Sequence, residues 1–194
     1  MTKFTDLVST PSRRTMLAGL AVAPVAVTPL ALSSDAPSQS TVRLPPLQRS
    51  RDGRALSRFR YHNAEGFFAG LEHGGARRTH RRLYQIGIVQ QLALSAHLLD
   101  VGFDDRWCAH HIGLRVARSL ELANATGLDF RSPDETLLAT LLTPYSKWRH
   151  CEAPPPSFPF SEEDVVALTR SLLDHVRTVT GHPRPRGWRN ERHG

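Results

Sequence analysis

Two cysteines in 194 residues exclude a disulfide-dense mini-protein, a four-cysteine zinc site and a Cys-ligated iron–sulfur cluster. Cys-x-x-Cys-His is absent, so covalent c-type haem is excluded as well. Lysine is nearly missing: among 25 Lys+Arg, only Lys3 and Lys147 are lysine. Acids number 18, which leaves a net charge of +7. Alternating apolar and polar runs, the mark of a half-buried strand, do not occur. The sequence also lacks Gly-x-Ser-x-Gly, His-Glu-x-x-His, a P-loop and any Glu-x-x-His. No residue presents itself as catalytic, and no cofactor or metal ligand set is spaced for binding. What remains is a basic chain, 40% hydrophobic, with enough apolar residues for one core.

Ser12-Arg13-Arg14-Thr15-Met16-Leu17 precedes about 17 uncharged, weakly apolar residues ending near Leu32. Pro24, Thr28 and Pro29 make that run a poor spanning helix. An uncleaved anchor and a buried N-terminal helix are the alternatives to a removable leader. The segment resembles a twin-arginine (Tat) signal peptide. Ser12, Arg13, Arg14 and Leu17 match the motif; Met16 and Ala18 depart from its commonest residues. The resemblance covers roughly residues 9–36. It implies engagement of the twin-arginine export machinery through Arg13 and Arg14, and a periplasmic or secreted destination. Ala31-Leu32-Ser33 offers a cleavage site before Ser34.

The expected organisation is a signal at 1–33, a flexible Ser/Pro/Gln/Arg-rich linker at 34–56, a helical domain at 57–181 and a disordered basic tail at 182–194. The fold class is all-α, a single small bundle of four to five helices. A short helix is expected from Asn63 to His73, ended by Gly74-Gly75. A second runs from about Arg77 to Leu99, with an apolar arc broad enough for a central helix. A third is expected from Asp104 or Asp105 to about Thr126. Ser132-Pro133-Asp134-Glu135 reads as a capping box that starts a fourth, with a kink near Pro144. Ser161 opens the last, whose stripe of Val165, Leu168, Leu172, Val176 and Val179 runs to Gly181.

Arg77, Arg78, Arg81 and Arg82 crowd a predicted helix start, where the macrodipole favours anions. They are candidates for an anion-binding site. The other reading pairs them with acids such as Glu121 or Asp174. Cys108 and Cys151 are disulfide candidates, closing a loop of about 43 residues worth roughly 4 kcal/mol in an oxidising compartment. A core thiol is the alternative for Cys108, which falls on an apolar stripe. A metal site built from these cysteines with His111 and His150 is disfavoured, because His150 and Cys151 are sequence neighbours. The functional expectation is an exported, cofactor-free helical interaction module that contacts an anionic partner, whether protein, lipid surface or nucleic acid. The alternative is a cytoplasmic, Arg-rich nucleic-acid-binding protein.

Overall fold

The computed structural model describes residues 44–73, 79–150 and 158–185. The described residues are all-α: α1 (Arg51–Glu72), α2 (Thr79–Val101), α3 (Asp105–His111), α4 (Val116–Ala125), α5 (Pro133–Leu142), a short 3-10 helix (Tyr145–Arg149) and α6 (Glu162–Thr180). Arg13, Arg14, Arg77, Arg78 and Cys151 lie outside the described residues.

Helix α2 is the centre. It packs against α1, α4, α6 and the 3-10 helix. Thirteen of its 23 residues are buried, and they cover a wide arc, as expected of a helix with several neighbours, leaving the Tyr84, Ile88, Leu92 and Ser95 side half-buried. Four of its polar side chains reach four different places in the surrounding shell. Asp100 accepts from Arg54 of α1 at 2.7 Å. Gln90 donates to Thr169 of α6 at 3.3 Å. Gln91 donates to Ser119 of α4 at 2.8 Å, and His97 lies 3.4 Å from the Thr126 hydroxyl just beyond α4. Each apolar contact tolerates sliding, whereas these polar contacts hold at one register.

The helix ends follow local chemistry. Ser161 caps α6 by accepting from the Asp164 N–H, and the Asp164 carboxylate accepts in return from the Ser161 N–H. Gly181 ends that helix in the left-handed region at φ 68°. Leu172, Leu173 and Val176 are fully buried, while Val179 at the end of the stripe is 42% exposed.

Four expectations need correction. Helix α1 starts at Arg51, not Asn63, so residues 51–56 are helical rather than linker; Ser50 caps them through the Gly53 N–H. The single helix expected from Asp104 to Thr126 is two, α3 and α4, because Gly113 takes φ 60° between them. Pro144 does not kink α5 but stands beyond its end, after Thr143 has turned extended (ψ 129°), as a residue before proline prefers. The chain from His182 is not a free tail from its first residue: His182 is 2% exposed.

One close approach depends on glycine. A Cβ on Gly87 in α2 would lie 2.3 Å from the Tyr145 Cβ and 2.8 Å from its Cγ. The Tyr145 Cβ is fixed by its own backbone, so a change of rotamer cannot relieve that contact. Alanine normally gains about 1 kcal/mol over glycine within a helix. Overpacking outweighs that here, so Gly87→Ala is expected to lower stability by about 1–3 kcal/mol. A urea midpoint equal to or above that of the unmodified chain would show that the 3-10 helix does not sit this close.

Candidate functional site

The densest group of ionisable side chains lies between α1, α6 and the residues after Gly181. On α1, Tyr61 and Glu65 are one turn apart and both buried. The Tyr61 hydroxyl donates to the Glu65 carboxylate at 2.5 Å. From α6, Arg170 donates to the other Glu65 oxygen at 2.8 Å while its guanidinium lies over the Phe68 ring, 4.3 Å from the centroid. Arg184, beyond the helix, reaches Asp174 at 2.5 Å and comes within 4.0 Å of Glu65. Burial, and then the Glu65 charge, push the Tyr61 phenol well above its ordinary value.

Beside this network is a serine–histidine pair. His182 Nε2 lies 2.7 Å from Ser57 Oγ, a distance at which an imidazole could activate a hydroxyl. The wiring runs the other way. Ser57 spends its only proton on the Ala96 carbonyl, 2.6 Å away, so Nε2–H must be the donor to Ser57. His182 Nδ1 meets no partner among the described residues, and burial lowers its pKa. Ser57 is 0% exposed. The pair is therefore a structural link. Together with Arg184 it clasps the chain after α6 onto α1.

A different group stands alone. Glu135, near the start of α5, is 0% exposed, and neither carboxyl oxygen has a hydrogen-bond partner among the described residues. Ser132 accepts from the Glu135 N–H as expected. The reciprocal half of the anticipated capping box is missing, because the carboxyl points inward. Desolvation alone raises its pKa from 4.5 to about 8, so at neutral pH it is an acid that keeps its proton.

The arginine cluster divides. Arg82 of α2 forms an ion pair with Glu162 at the start of α6, not with Glu121 or Asp174. Glu121 is held by Arg118, and Asp174 by Arg184. Arg81 is exposed, with no carboxylate within ion-pair distance among the described residues. Arg77 and Arg78 lie outside the described residues. Cys108 is buried, and burial with the nearby Asp105 and Asp104 pushes its thiol up to about 12. That makes it an unreactive core group at neutral pH. The disulfide with Cys151 falls outside the described residues. His111 is taken up by Trp107, stacking at 4.5 Å and bonding its carbonyl at 3.0 Å.

Among the described residues a groove and a small cavity open at the surface. A groove of about 320 Å3 lies between the start of α1 and the α2–α3 turn, with Asp52, Asp104 and Asp105 on its walls. A cavity of about 30 Å3, the size of one water, sits beside Arg82 and Glu162. Among the described residues no three His, Cys, Asp or Glu side chains are placed to hold a metal, and no helix is long and apolar enough to cross a membrane. Comparison with known proteins returns no matching family model, curated protein or solved structure.

The Glu65 network escaped the sequence reading because its partners come from segments 105 residues apart. The available signal was Tyr61 and Glu65, four apart on one helix.

Glu135 gives a pH dependence whose sign is fixed. Its folded pKa of about 8 exceeds the ordinary 4.5, so stability is fully present below about 4.5 and is lost as pH rises through 8. The shift sets an upper bound of about 5 kcal/mol on that loss. Glu135→Gln should flatten this dependence and unfold at higher urea than the unmodified chain at pH 8. Parallel stability-versus-pH curves for the two proteins would show that Glu135 is ionised and solvated.

Proposed function

We propose that the chain is an exported, cofactor-free helical interaction module whose free arginines meet an acidic partner. The observation that supports this is how the arginines divide. Arg54, Arg60, Arg82, Arg170 and Arg184 are bound to carboxylates within the fold. Arg49, Arg58, Arg81, Arg106 and Arg149 are exposed and meet no carboxylate among the described residues. The first set stabilises helix contacts, and the second is left for solvent or for a partner. Arginine forms two-point bonds with carboxylates and phosphates that lysine does not, which gives the near-absence of lysine a physical use.

The export half of the reading rests on Arg13-Arg14 ahead of an uncharged, weakly apolar run. Its destination is the periplasm or the medium, and its first partner is the twin-arginine machinery.

The test addresses both halves. Replacing Arg13 and Arg14 by Lys should hold the precursor in the cytoplasm, while the unmodified chain fractionates with the periplasm at reduced mass. Equal fractionation of the two would end the export reading. For the acidic partner, a polyanion such as heparin should bind the chain with an affinity that falls steeply with salt. Replacing Arg58 and Arg81 by Gln should weaken that binding without changing the free energy of unfolding by more than about 0.5 kcal/mol. Equal binding by both proteins would reject those arginines as the contact.

A further inference from the structure

The chain after Gly181 returns to α1, and one buried imidazole holds that contact at its start. His182 Nε2–H donates to the Ser57 hydroxyl at 2.7 Å, while Nδ1 meets no partner among the described residues. Both residues are buried, and the Tyr61 ring lies 6.0 Å from the imidazole, centroid to centroid. A neutral ring leaves one acceptor atom unused there, at modest cost. A protonated ring would carry a second N–H into the same place, with nothing to receive it. The surrounding charges add to this. Arg54, Arg58 and His62 of α1 face His182, and the carboxylate that faces it is Asp100 of α2. Asp100 already accepts from Arg54 at 2.7 Å. Glu65 and Asp174, the acids of the neighbouring network, are engaged by Arg170 and Arg184. Burial is the main influence lowering the His182 pKa; Asp100 opposes it, and Arg54, Arg58 and His62 reinforce it.

We propose that His182 is an acid-sensitive latch: protonation of its imidazole releases residues 182–185 from α1 while the helical bundle stays folded. The other fastenings are weak enough to follow. His62 donates to the Pro183 carbonyl at 3.1 Å on the exposed surface. Arg184 and Asp174 are 44% and 39% exposed, and a pair so open to water contributes little. Arg184 only approaches Glu65, at 4.0 Å. The bundle does not rely on these contacts, because α1 stays packed on α2 and keeps Ala64, Phe68 and Leu71 in the core. The sign is fixed by the direction of the shift. The folded His182 pKa lies below the ordinary 6.5, so the latch is fully closed above 6.5 and is lost as pH falls below it. Opening also frees Arg184, which joins the arginines available to an acidic partner. The latch itself depends neither on that partner nor on export.

Amide hydrogen exchange of the full chain tests it in the last turn of α6, where the Gly181 N–H donates to the Arg177 carbonyl at 2.8 Å. Measured against intrinsic exchange, protection of Thr180 and Gly181 should fall about tenfold between about pH 7.5 and about pH 5, with helical circular dichroism unchanged. His182→Gln keeps an N–H for Ser57 but takes up no proton, so its protection should be the same at both pH values. His62→Gln should lose protection as the unmodified chain does. In NMR spectra of the unmodified chain the His182 ring should titrate below 6.5, in step with the loss of protection. Equal protection of the unmodified chain at both pH values, a loss that persists in His182→Gln, a loss of helix at the lower pH, or a His182 ring that titrates at or above 6.5 would each overturn the proposal.

Discussion

The structure depends on α2 being enclosed. Its buried residues cover a wide arc and the Tyr84–Ile88–Ser95 side is half-buried, while α1, α4, α6 and the 3-10 helix pack around it as a shell. A wholly apolar helix could be enclosed in many registers. This one carries Gln90, Gln91, His97 and Asp100, which tie it to Thr169, Ser119, Thr126 and Arg54. Leaving a buried polar group without its partner costs about 1–3 kcal/mol. A slipped helix would forfeit several such bonds together.

The shell is then closed on its own account. Glu65 draws Tyr61 and Arg170 together, and Arg184 and His182 bind the chain after α6 back onto α1. Arginine recurs in these closures because one guanidinium can serve a carboxylate and a ring or carbonyl at the same time, as Arg170 does with Glu65 and Phe68. Glu135 is the exception. It is buried with no hydrogen-bond partner among the described residues, and the fold tolerates it in the protonated form at the cost of stability in alkali.

Where local chemistry decides, the sequence was readable. The Ser161 cap, the Gly181 stop, the buried Leu172 stripe, the Ser132 start and the central role of α2 are all visible in spacing and capping residues. Tertiary partners decided what was misread. The start of α1 looked like linker because Arg51, Arg54 and Arg58 dilute its periodicity, and two of its large apolar residues, Phe59 and Phe67, face outward. Gly113 is one glycine in an otherwise helical pattern, and spacing gives no sign that it takes positive φ. For Arg82 the sequence leaves an external anion and an internal acid both open, and finding Glu162 rather than Glu121 or Asp174 requires knowing which helix ends meet. Glu135 matched a capping box by position, and only packing shows its carboxyl turned inward.

Amide hydrogen exchange along α2 tests the enclosure most directly. If the shell forms around α2, amides from Leu92 to Leu99 exchange only through global unfolding. Their protection free energy should then equal the free energy of unfolding obtained from urea, and should exceed that of the shell helices α4 and α5. Exchange in α2 that is faster than in α4 or α5, or that follows a sub-global opening with weak urea dependence, would contradict the account.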